Sequence, residues 1–436
     1  MLLVIFGYVL AGLLLLWVGL TYTKLAIPGG FYVLTLKIAS TALSPIVAFS
    51  ALVAAAVAGH VILTITYVLI LLMAILPVVM IAMAKPVTSD SFPSGEGTYM
   101  LRRLWGLWMS PVPEPRCKRD LPFWTPPEGG GQLLCDIWSP PSGIAPSGLA
   151  FIYFHGSGWV MLDKDVQTRP FFRRLAAQGH VVMDVAYRLY PDTDMAGMVG
   201  DVRRAVAWMR AHAAEYGVHP DRIVIGGGSA GGHLSLLAAF TDGNPHLTPA
   251  DVRNLDTSVA GVVSVYGPVD LRTCYAQRHV DKSAELMKDP PKDWNAPLPP
   301  LVQKLFGQTV ARWKFNKAMA AGRLDWILGG KPGALPDQYS LFSPVEHFHP
   351  DCPPVLMIHG TDDLVSPAAD VAWLGNRLRE MGVPASTLIL PYTDHAFDMV
   401  LFNLGPATRV AMWHLERFLM GVAELPARRL RKVAVS

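Results

Sequence analysis

Cysteine and charged residues are both scarce in this chain of 436 residues. The four cysteines are Cys117, Cys135, Cys274 and Cys352, and no two of them form a CxxC pair. Their number excludes a disulfide-stabilised scaffold, and their spacing does not support a zinc site built from thiolates. Charged residues make up 16% of the chain, against about 25% in ordinary soluble proteins. The net charge of +3 is too small to indicate a nucleic-acid-binding protein.

Charge is almost absent from the first 84 residues, which contain no Asp, Glu or Arg and only two lysines, Lys24 and Lys37. A membrane-spanning helix needs about 20 mostly apolar residues. Three runs of this kind fill the region, at about residues 2–20, 38–58 and 61–84. We therefore predict a multi-pass integral membrane region over residues 1–85, in contact with membrane lipids. A cleaved signal peptide is the alternative for the first run, which lacks a basic start and a small-residue cleavage site.

The positions of the positive charges predict the orientation of the chain in the membrane. Lys24 and Lys37 flank the first predicted loop, and Lys85, Arg102 and Arg103 follow the third predicted span. With three spans these two regions lie on one side, which the positive-inside rule identifies as the cytoplasm. The rest of the chain would then be cytoplasmic, whereas merging or losing one span would reverse this orientation.

The composition after the apolar region becomes that of a globular protein. Residues 86–130 are rich in Pro, Gly, Trp and Arg and indicate a linker or a collar on the membrane surface. Residues 131–425 alternate short apolar runs with amphipathic stretches, which predicts a mostly parallel sheet flanked by helices. Residues 270–344 interrupt this alternation and indicate an inserted cap. Residues 426–436 form a basic tail, either solvated or in contact with anionic lipid headgroups.

The periodicity predicts seven strands and five helices in the globular part. The predicted strands are 133–138, 149–154, 181–187, 222–226, 261–266, 354–359 and 386–390. The predicted helices are 170–178, 198–216, 230–240, 367–381 and 407–419.

A glycine-rich sequence at residues 226–232 is the sharpest local motif. It contains Gly227-x-Ser229-x-Gly231 between a predicted strand and a predicted helix. A nucleophile on such a strand-to-helix turn has strained backbone dihedral angles, and the flanking glycines let neighbouring elements approach closely. A phosphate-binding loop is the alternative, but no Lys follows the glycines as it does in a P-loop.

A second glycine-rich turn, His-Gly-Ser-Gly-Trp at residues 155–159, directly follows another predicted strand. Acyl transfer needs backbone amides directed at an oxyanion, and glycine-rich turns can supply them. The amides of Ser157, Gly158 and Ala230 are therefore candidates for an oxyanion hole. An ordinary turn with a packed Trp is the alternative. The residues that support the two motifs are His155, Gly156, Gly227 and Gly231.

A serine nucleophile needs a base, and the base needs an acid that orients it and stabilises its charged form. The sequence offers His395 after the last predicted strand, and Asp362 and Asp363 after the strand before it. All of these residues lie at the carboxyl ends of predicted strands, where open α/β sheets bind their ligands. The order Ser, Asp, His along the chain is that of the α/β-hydrolases.

Residues from about 120 to 419 resemble the α/β-hydrolase superfamily, and most closely its hormone-sensitive-lipase-like esterase branch. The resemblance is carried by the motifs HGSGW at 155–159, YRLYP at 187–191, DRI at 221–223, GGSAGG at 227–232 and HGTDDLV at 359–365. It implies a serine carboxylesterase, lipase or deacetylase that acts through an acyl-enzyme, with no metal or other cofactor. Ser229 would be the nucleophile, His395 the general base and Asp363 the acid. Asp363 is preferred to Asp362 because the family's acid lies four residues after the His of the His-Gly turn.

Two features depart from the family pattern. Ser157 stands where the family usually has Gly, and we expect its backbone donor to remain in place. The family's cap is often N-terminal, so here the insert 270–344 would take over that role. The expected substrate is a small-molecule or lipid ester, because tethering at a membrane raises the local concentration of lipid-partitioned molecules. An acyltransferase, a peptidase, and a non-catalytic receptor or scaffold on the same fold remain alternatives.

Overall fold

The computed structural model describes residues 2–23, 30–88, 112–127, 129, 131–160, 162–165, 168–280, 324–399 and 405–424. The chain begins with three apolar helices: α1 (Leu2–Thr21), α2 (Gly30–Val57) and α3 (Val61–Met83). All three are long and apolar enough to cross a membrane, as the sequence predicts. The second helix starts earlier than the predicted residue 38, so Lys37 lies within it rather than in a loop.

A nine-stranded sheet organises the rest of the described chain. Its strands are β1 (Val87–Thr88), β2 (Arg116–Trp124), β3 (Leu133–Ser139), β4 (Ala150–Phe154), β5 (Val181–Val185), β6 (Ile223–Gly228), β7 (Gly261–Val265), β8 (Val355–Gly360) and β9 (Ala385–Leu390). They lie in the order β1-β9-β8-β7-β6-β4-β5-β3-β2. The central strands β9, β8, β7, β6, β4 and β5 are parallel to one another. At one edge β1 pairs antiparallel with β9, and at the other β3 pairs antiparallel with β5 and β2 with β3.

Helices cover both faces of the sheet. They are α4 (Arg169–Ala177), α5 (Met195–Ala211), α6 (Ala213–Tyr216), α7 (Ala230–Phe240), α8 (Leu271–Val280), α9 (Leu324–Ile327), α10 (Pro336–Leu341), α11 (Ala368–Glu380) and α12 (Pro406–Glu424), with a 3₁₀ turn at Pro344–Glu346. The central strands are apolar on both sides, and every residue of β4 and β5 is buried. Two apolar clusters, one on each face, form the core.

The seven predicted strands and five predicted helices are confirmed to within a few residues, except that the helix predicted over 198–216 is divided at His212. Two strands that were not predicted lie in the predicted linker 86–130: the short β1 and β2. Residues 116–124, assigned from the sequence to the linker, form the edge strand β2. This strand carries charges, a proline and register shifts. Such features keep an edge strand from pairing with another chain, and they also disrupt the alternation of apolar and polar residues by which a strand is predicted.

The third apolar helix leads directly into the sheet. Val87 and Thr88, shortly after α3, pair with Thr387 and Ser386 of β9. Ile81, 1% exposed, belongs to the same apolar cluster as residues of α12. The N-terminal helices are therefore packed against the globular part of the chain.

Several predictions concern residues that lie wholly or partly outside the described part of the chain. The rest of the predicted linker and the basic tail 426–436 lie outside it, apart from residues 86–88, 112–115 and a few that follow β2. Of the predicted cap 270–344, the structure describes both ends. There Leu271, Leu324 and Tyr339 are buried in the main core.

Candidate active site

Ser229 lies on a strained turn between β6 and α7. Its φ of 51° and ψ of −121° are sparsely populated for a residue with a side chain, and such strain is typical of functional sites. The turn is tightly enclosed. A Cβ on Gly227 would lie 2.0 Å from the carbonyl oxygen of Phe154, and one on Gly231 would lie 1.9 Å from the same atom. Only glycine fits at these two positions.

Ser229, His395 and Asp363 come together at the carboxyl ends of β6, β9 and β8. The Oγ of Ser229 lies 2.8 Å from Nε2 of His395. The Nδ1 of the same ring lies 2.8 Å from Oδ2 of Asp363. A serine hydroxyl, an imidazole and a carboxylate connected in this order form the arrangement that activates a serine nucleophile.

The carboxylate of Asp363 is fixed and kept ionised. Its Oδ1 accepts hydrogen bonds from the backbone amides of Val365 (2.8 Å) and Ser366 (2.9 Å). Burial alone would raise its pKa, but His395, His359 and these hydrogen bonds together hold the pKa of Asp363 below its ordinary value. An ionised carboxylate at this position is able to stabilise a positive charge on the neighbouring imidazole.

Three other histidines surround the site and are kept uncharged. Burial lowers the pKa of His155 and of His233 to about 4, and it also lowers the pKa of His359. His233 accepts a hydrogen bond from the indole of Trp159 (3.2 Å) and contacts the carbonyl of Phe342 (2.8 Å). His359 also approaches Asp363, with Nε2 3.2 Å from Oδ2, but of the four rings it is His395 that contacts the hydroxyl of Ser229.

Sequence reasoning missed Tyr266, which packs against the imidazole of His395. The two ring centroids lie 4.8 Å apart in an edge-on arrangement. The hydroxyl of Tyr266 donates to Asp398, and enclosure of that carboxyl group raises the pKa of Asp398. Tyr266 follows β7 at the same edge of the sheet, but no motif marks it in the sequence.

The turn at residues 155–158 is held by a chain of hydrogen bonds that uses the Ser in place of the family's Gly. The amide of Trp159 donates to Oγ of Ser157 (2.8 Å), which lies 2.6 Å from the hydroxyl of Tyr187. That hydroxyl donates to the carbonyl of His155 (2.9 Å). The Ser side chain therefore stabilises the turn from inside.

This turn lies directly beside the serine. A Cβ on Gly156 would be 3.3 Å from Cβ of Ser229. Within the described ranges, the backbone amides of Ser157, Gly158 and Ala230 have no hydrogen-bond acceptor. They are therefore available to an anion beside Ser229, and Ala230 also begins α7, whose N-terminus favours negative charge.

The two adjacent aspartates have different partners. Asp363 contacts His395, whereas Oδ2 of Asp362 lies 3.0 Å from Nζ of Lys37 on α2. Sequence reasoning used Lys37 only to orient the membrane region. The structure places Lys37 within the apolar helix α2, where charged residues usually have a specific partner.

Metal binding finds no support in the described part of the chain, where no group of three or more His, Cys, Asp or Glu side chains could hold an ion.

Comparison with known proteins shows which proteins the chain is similar to. The family described as BD-FAE matches residues 135–296. The probable carboxylic ester hydrolase LipM of Mycobacterium tuberculosis is 30% identical over 66% of this chain and 58% of its own. The chain has an α/β-hydrolase fold. Esterase LipQ of the same organism is 29% identical over 70% of this chain and 65% of its own. The chain thus spans less than two thirds of the length of either relative.

Among solved structures, a thermophilic esterase from Thermogutta terrifontis is similar to this chain. It has a TM-score of 0.49 and 23% sequence identity, and the match covers 73% of this chain and 95% of that one.

Tyr187→Phe should destabilise the turn beside Ser229. The change removes the hydroxyl that links Ser157 to the carbonyl of His155. Leaving buried polar groups without a partner costs about 1–3 kcal/mol, which thermal unfolding would report. Ser157→Gly should lower the free energy of unfolding by less in the Tyr187→Phe variant than in the wild type. Equal costs in the two backgrounds would contradict the hydrogen-bonded chain.

Acidification should destabilise the protein between about pH 6.5 and 4. Burial lowers the pKa of His155, His180 and His233 to about 4, whereas an unfolded histidine titrates near 6.5. In this window the unfolded chain therefore binds protons that the folded chain does not. Each of these histidines then lowers the free energy of unfolding by up to about 1.4 kcal/mol for each pH unit of acidification. Denaturant unfolding at several pH values should show that His180→Asn loses less stability than the wild type; parallel losses would contradict this assignment.

Proposed function

We propose that this chain is a serine hydrolase of carboxylic esters, held at a membrane by its three N-terminal helices. The observation that carries the proposal is the continuous hydrogen-bonded chain from Oγ of Ser229 through His395 to Asp363. The names of the relatives LipM and LipQ, a probable carboxylic ester hydrolase and an esterase, support the same reaction.

In the proposed reaction Ser229 is the nucleophile and His395 is the general base. Oγ of Ser229 attacks the carbonyl carbon of the ester while Nε2 of His395 takes up the hydroxyl proton. The bond to the alcohol oxygen then breaks, and the imidazolium returns the proton so that an alcohol leaves. Water, deprotonated by the same imidazole, then attacks the acyl carbon. The bond between that carbon and Oγ of Ser229 breaks, the imidazolium returns its proton to Oγ, and the carboxylic acid leaves. Asp363 orients the ring and balances its charge in both steps.

The proposed oxyanion hole consists of the amides of Ser157, Gly158 and Ala230. Negative charge develops on the carbonyl oxygen as Ser229 attacks, and donors that are fixed beforehand stabilise it without reorganisation. The availability of these amides among the described residues supports this role, as does the stability of the turn that holds two of them. Loss of one such donor typically costs about 10²- to 10³-fold in rate.

The surface of the N-terminal helices supports membrane insertion. Leu3 is 84% exposed, Leu16 72% and Val61 70%, although all three are strongly apolar. So large an apolar surface is unusual for a soluble protein and is normal for helices that contact lipid. We propose an integral membrane protein whose catalytic part lies on the side of the α1–α2 connection, because Lys37 near that connection contacts Asp362. A cytoplasmic location follows from the positive-inside rule.

Hydrolysis of p-nitrophenyl butyrate by the detergent-purified protein tests the catalytic assignment. Ser229→Ala should lower kcat by about 10⁴-fold or more, and Asp363→Asn by about 10³- to 10⁴-fold. Asp362→Asn is the matched control and should lose about tenfold or less, because its carboxylate is directed at Lys37 and not at the imidazole. Full activity in folded Ser229→Ala would contradict the proposal, and folded wild type inactive on a panel of esters would favour a scaffold.

Chain-length profiling tests the proposed preference for lipid-like esters. Burying each additional CH₂ group of an acyl chain contributes about 0.8 kcal/mol, so a site that binds lipid chains gains affinity as the chain lengthens. We expect kcat/KM for p-nitrophenyl esters to rise from acetyl to octanoyl. Activity confined to acetyl esters would contradict a lipase and favour a deacetylase.

A further inference from the structure

A lysine of the second apolar helix reaches into the globular part of the chain. Lys37 lies within the candidate span Leu36–Val57 and is 5% exposed. Its Nζ donates to the carbonyl of Thr23 (2.9 Å) and to Oδ2 of Asp362 (3.0 Å), and lies 3.7 Å from Oδ2 of Asp394. A buried ammonium is costly without such partners, so this side chain is specifically accommodated.

The two carboxylates belong to different loops, and each is adjacent to a residue of the proposed triad. Asp362 precedes Asp363 in the loop after β8, and Asp394 precedes His395 in the loop after β9. Oδ1 of Asp394 accepts hydrogen bonds from the backbone amides of His395 (2.7 Å) and Leu364 (3.1 Å). The loop after β8, which carries Asp363, is called the acid loop, and the loop after β9, which carries His395, is called the base loop. The ammonium of Lys37 therefore joins these two loops.

Without the cation, two negative charges would face each other in a buried place. Asp362 is 8% exposed and Asp394 is 5% exposed, and like charges that share a site repel or exclude ionisation of one partner. Either response disturbs a loop that carries Asp363 or His395. Catalytic geometry is sensitive to such shifts, since a displacement of about 1 Å can cost roughly 10²-fold in rate.

The lysine is held in place from the membrane side. Thr23, which accepts its hydrogen bond, follows the end of α1. Ser40, one turn further along α2, donates to the carbonyl of Trp17 on α1 (2.9 Å). Tyr22 packs edge-on against Tyr392 of the base loop, with ring centroids 5.3 Å apart. Helices α1 and α2 therefore form one unit that presents Lys37 to the two loops.

We propose that Lys37 is a positioning residue for the active site: its ammonium ties the loop of Asp363 to the loop of His395, so that a membrane helix completes the catalytic geometry. This inference rests on the proposed ester hydrolase function. The membrane region then has a structural part in catalysis beyond holding the enzyme near its substrate.

Lys37→Met in the full-length protein is the direct test, because Met keeps the length of the side chain and suits an apolar helix. We expect kcat for a short, water-soluble p-nitrophenyl ester to fall about 10- to 100-fold. KM should change little, since Lys37 is not expected to contact the substrate. Lys37→Arg should restore most of the activity. Lys118→Met is the matched control, because it removes an exposed ion pair with Glu215, and its kcat should equal that of the wild type.

Asp362→Asn separates positioning from general stability. It should lower kcat about three- to tenfold and should make the further loss caused by Lys37→Met smaller than in the wild type. If Lys37→Met does not reach the membrane in folded form, Asp362→Asn and Lys37→Arg decide the matter. Wild-type kcat in Asp362→Asn, or a kcat in Lys37→Arg as low as that expected for Met, would then overturn the inference.

A purely structural role predicts a different pattern. Unchanged kcat in folded Lys37→Met, with only a lower unfolding temperature, would overturn the inference. Ser229→Ala, measured in parallel, keeps this outcome separate from failure of the proposed function. If Ser229→Ala is inactive while Lys37→Met is fully active, the hydrolase stands and the positioning role falls. If Ser229→Ala remains active, the proposed function itself fails.

Discussion

The imidazole of His395 has to meet two groups that are remote in sequence, and the organisation of the site depends on this requirement. The hydroxyl of Ser229 is 166 residues away and the carboxylate of Asp363 is 32 residues away. A parallel sheet meets the requirement because its strands end at a common edge. Strands β6, β8 and β9 each deliver one of the three side chains there. The tight turn around Gly227 and Gly231 then brings the serine up to the ring.

The loops at this edge are fixed to one another as well as to the sheet. The amide of Asp362 donates to the carbonyl of Thr393 (2.9 Å), and Asp394 accepts hydrogen bonds from both loops. Lys37 adds a charge at the same junction from a helix that the apolar pattern assigns to the membrane. The apolar helices and the candidate active site are therefore neighbours in space, although the sequence separates Lys37 from Asp362 by 325 residues.

The sequence was informative wherever a local pattern has one physical meaning. The scarcity of charged residues in the first 84 positions predicted three apolar helices. The glycines on either side of Ser229 predicted a tight turn in which these positions have no room for a Cβ. Pairings between distant residues leave no such pattern. The contact of Tyr266 with His395 and the ion pair of Lys37 depend on the order of strands and on helix packing, which no single segment encodes. Strand β2 was missed because a charged edge strand lacks regular alternation.

Peptide mapping after reaction with a fluorophosphonate tests the central claim most directly, because such reagents report an activated serine rather than a favoured substrate. The account predicts one covalent adduct on the folded, full-length protein, on Oγ of Ser229. An adduct on another residue, or an unmodified Ser229 in folded protein under conditions that label a known serine esterase, would contradict the account.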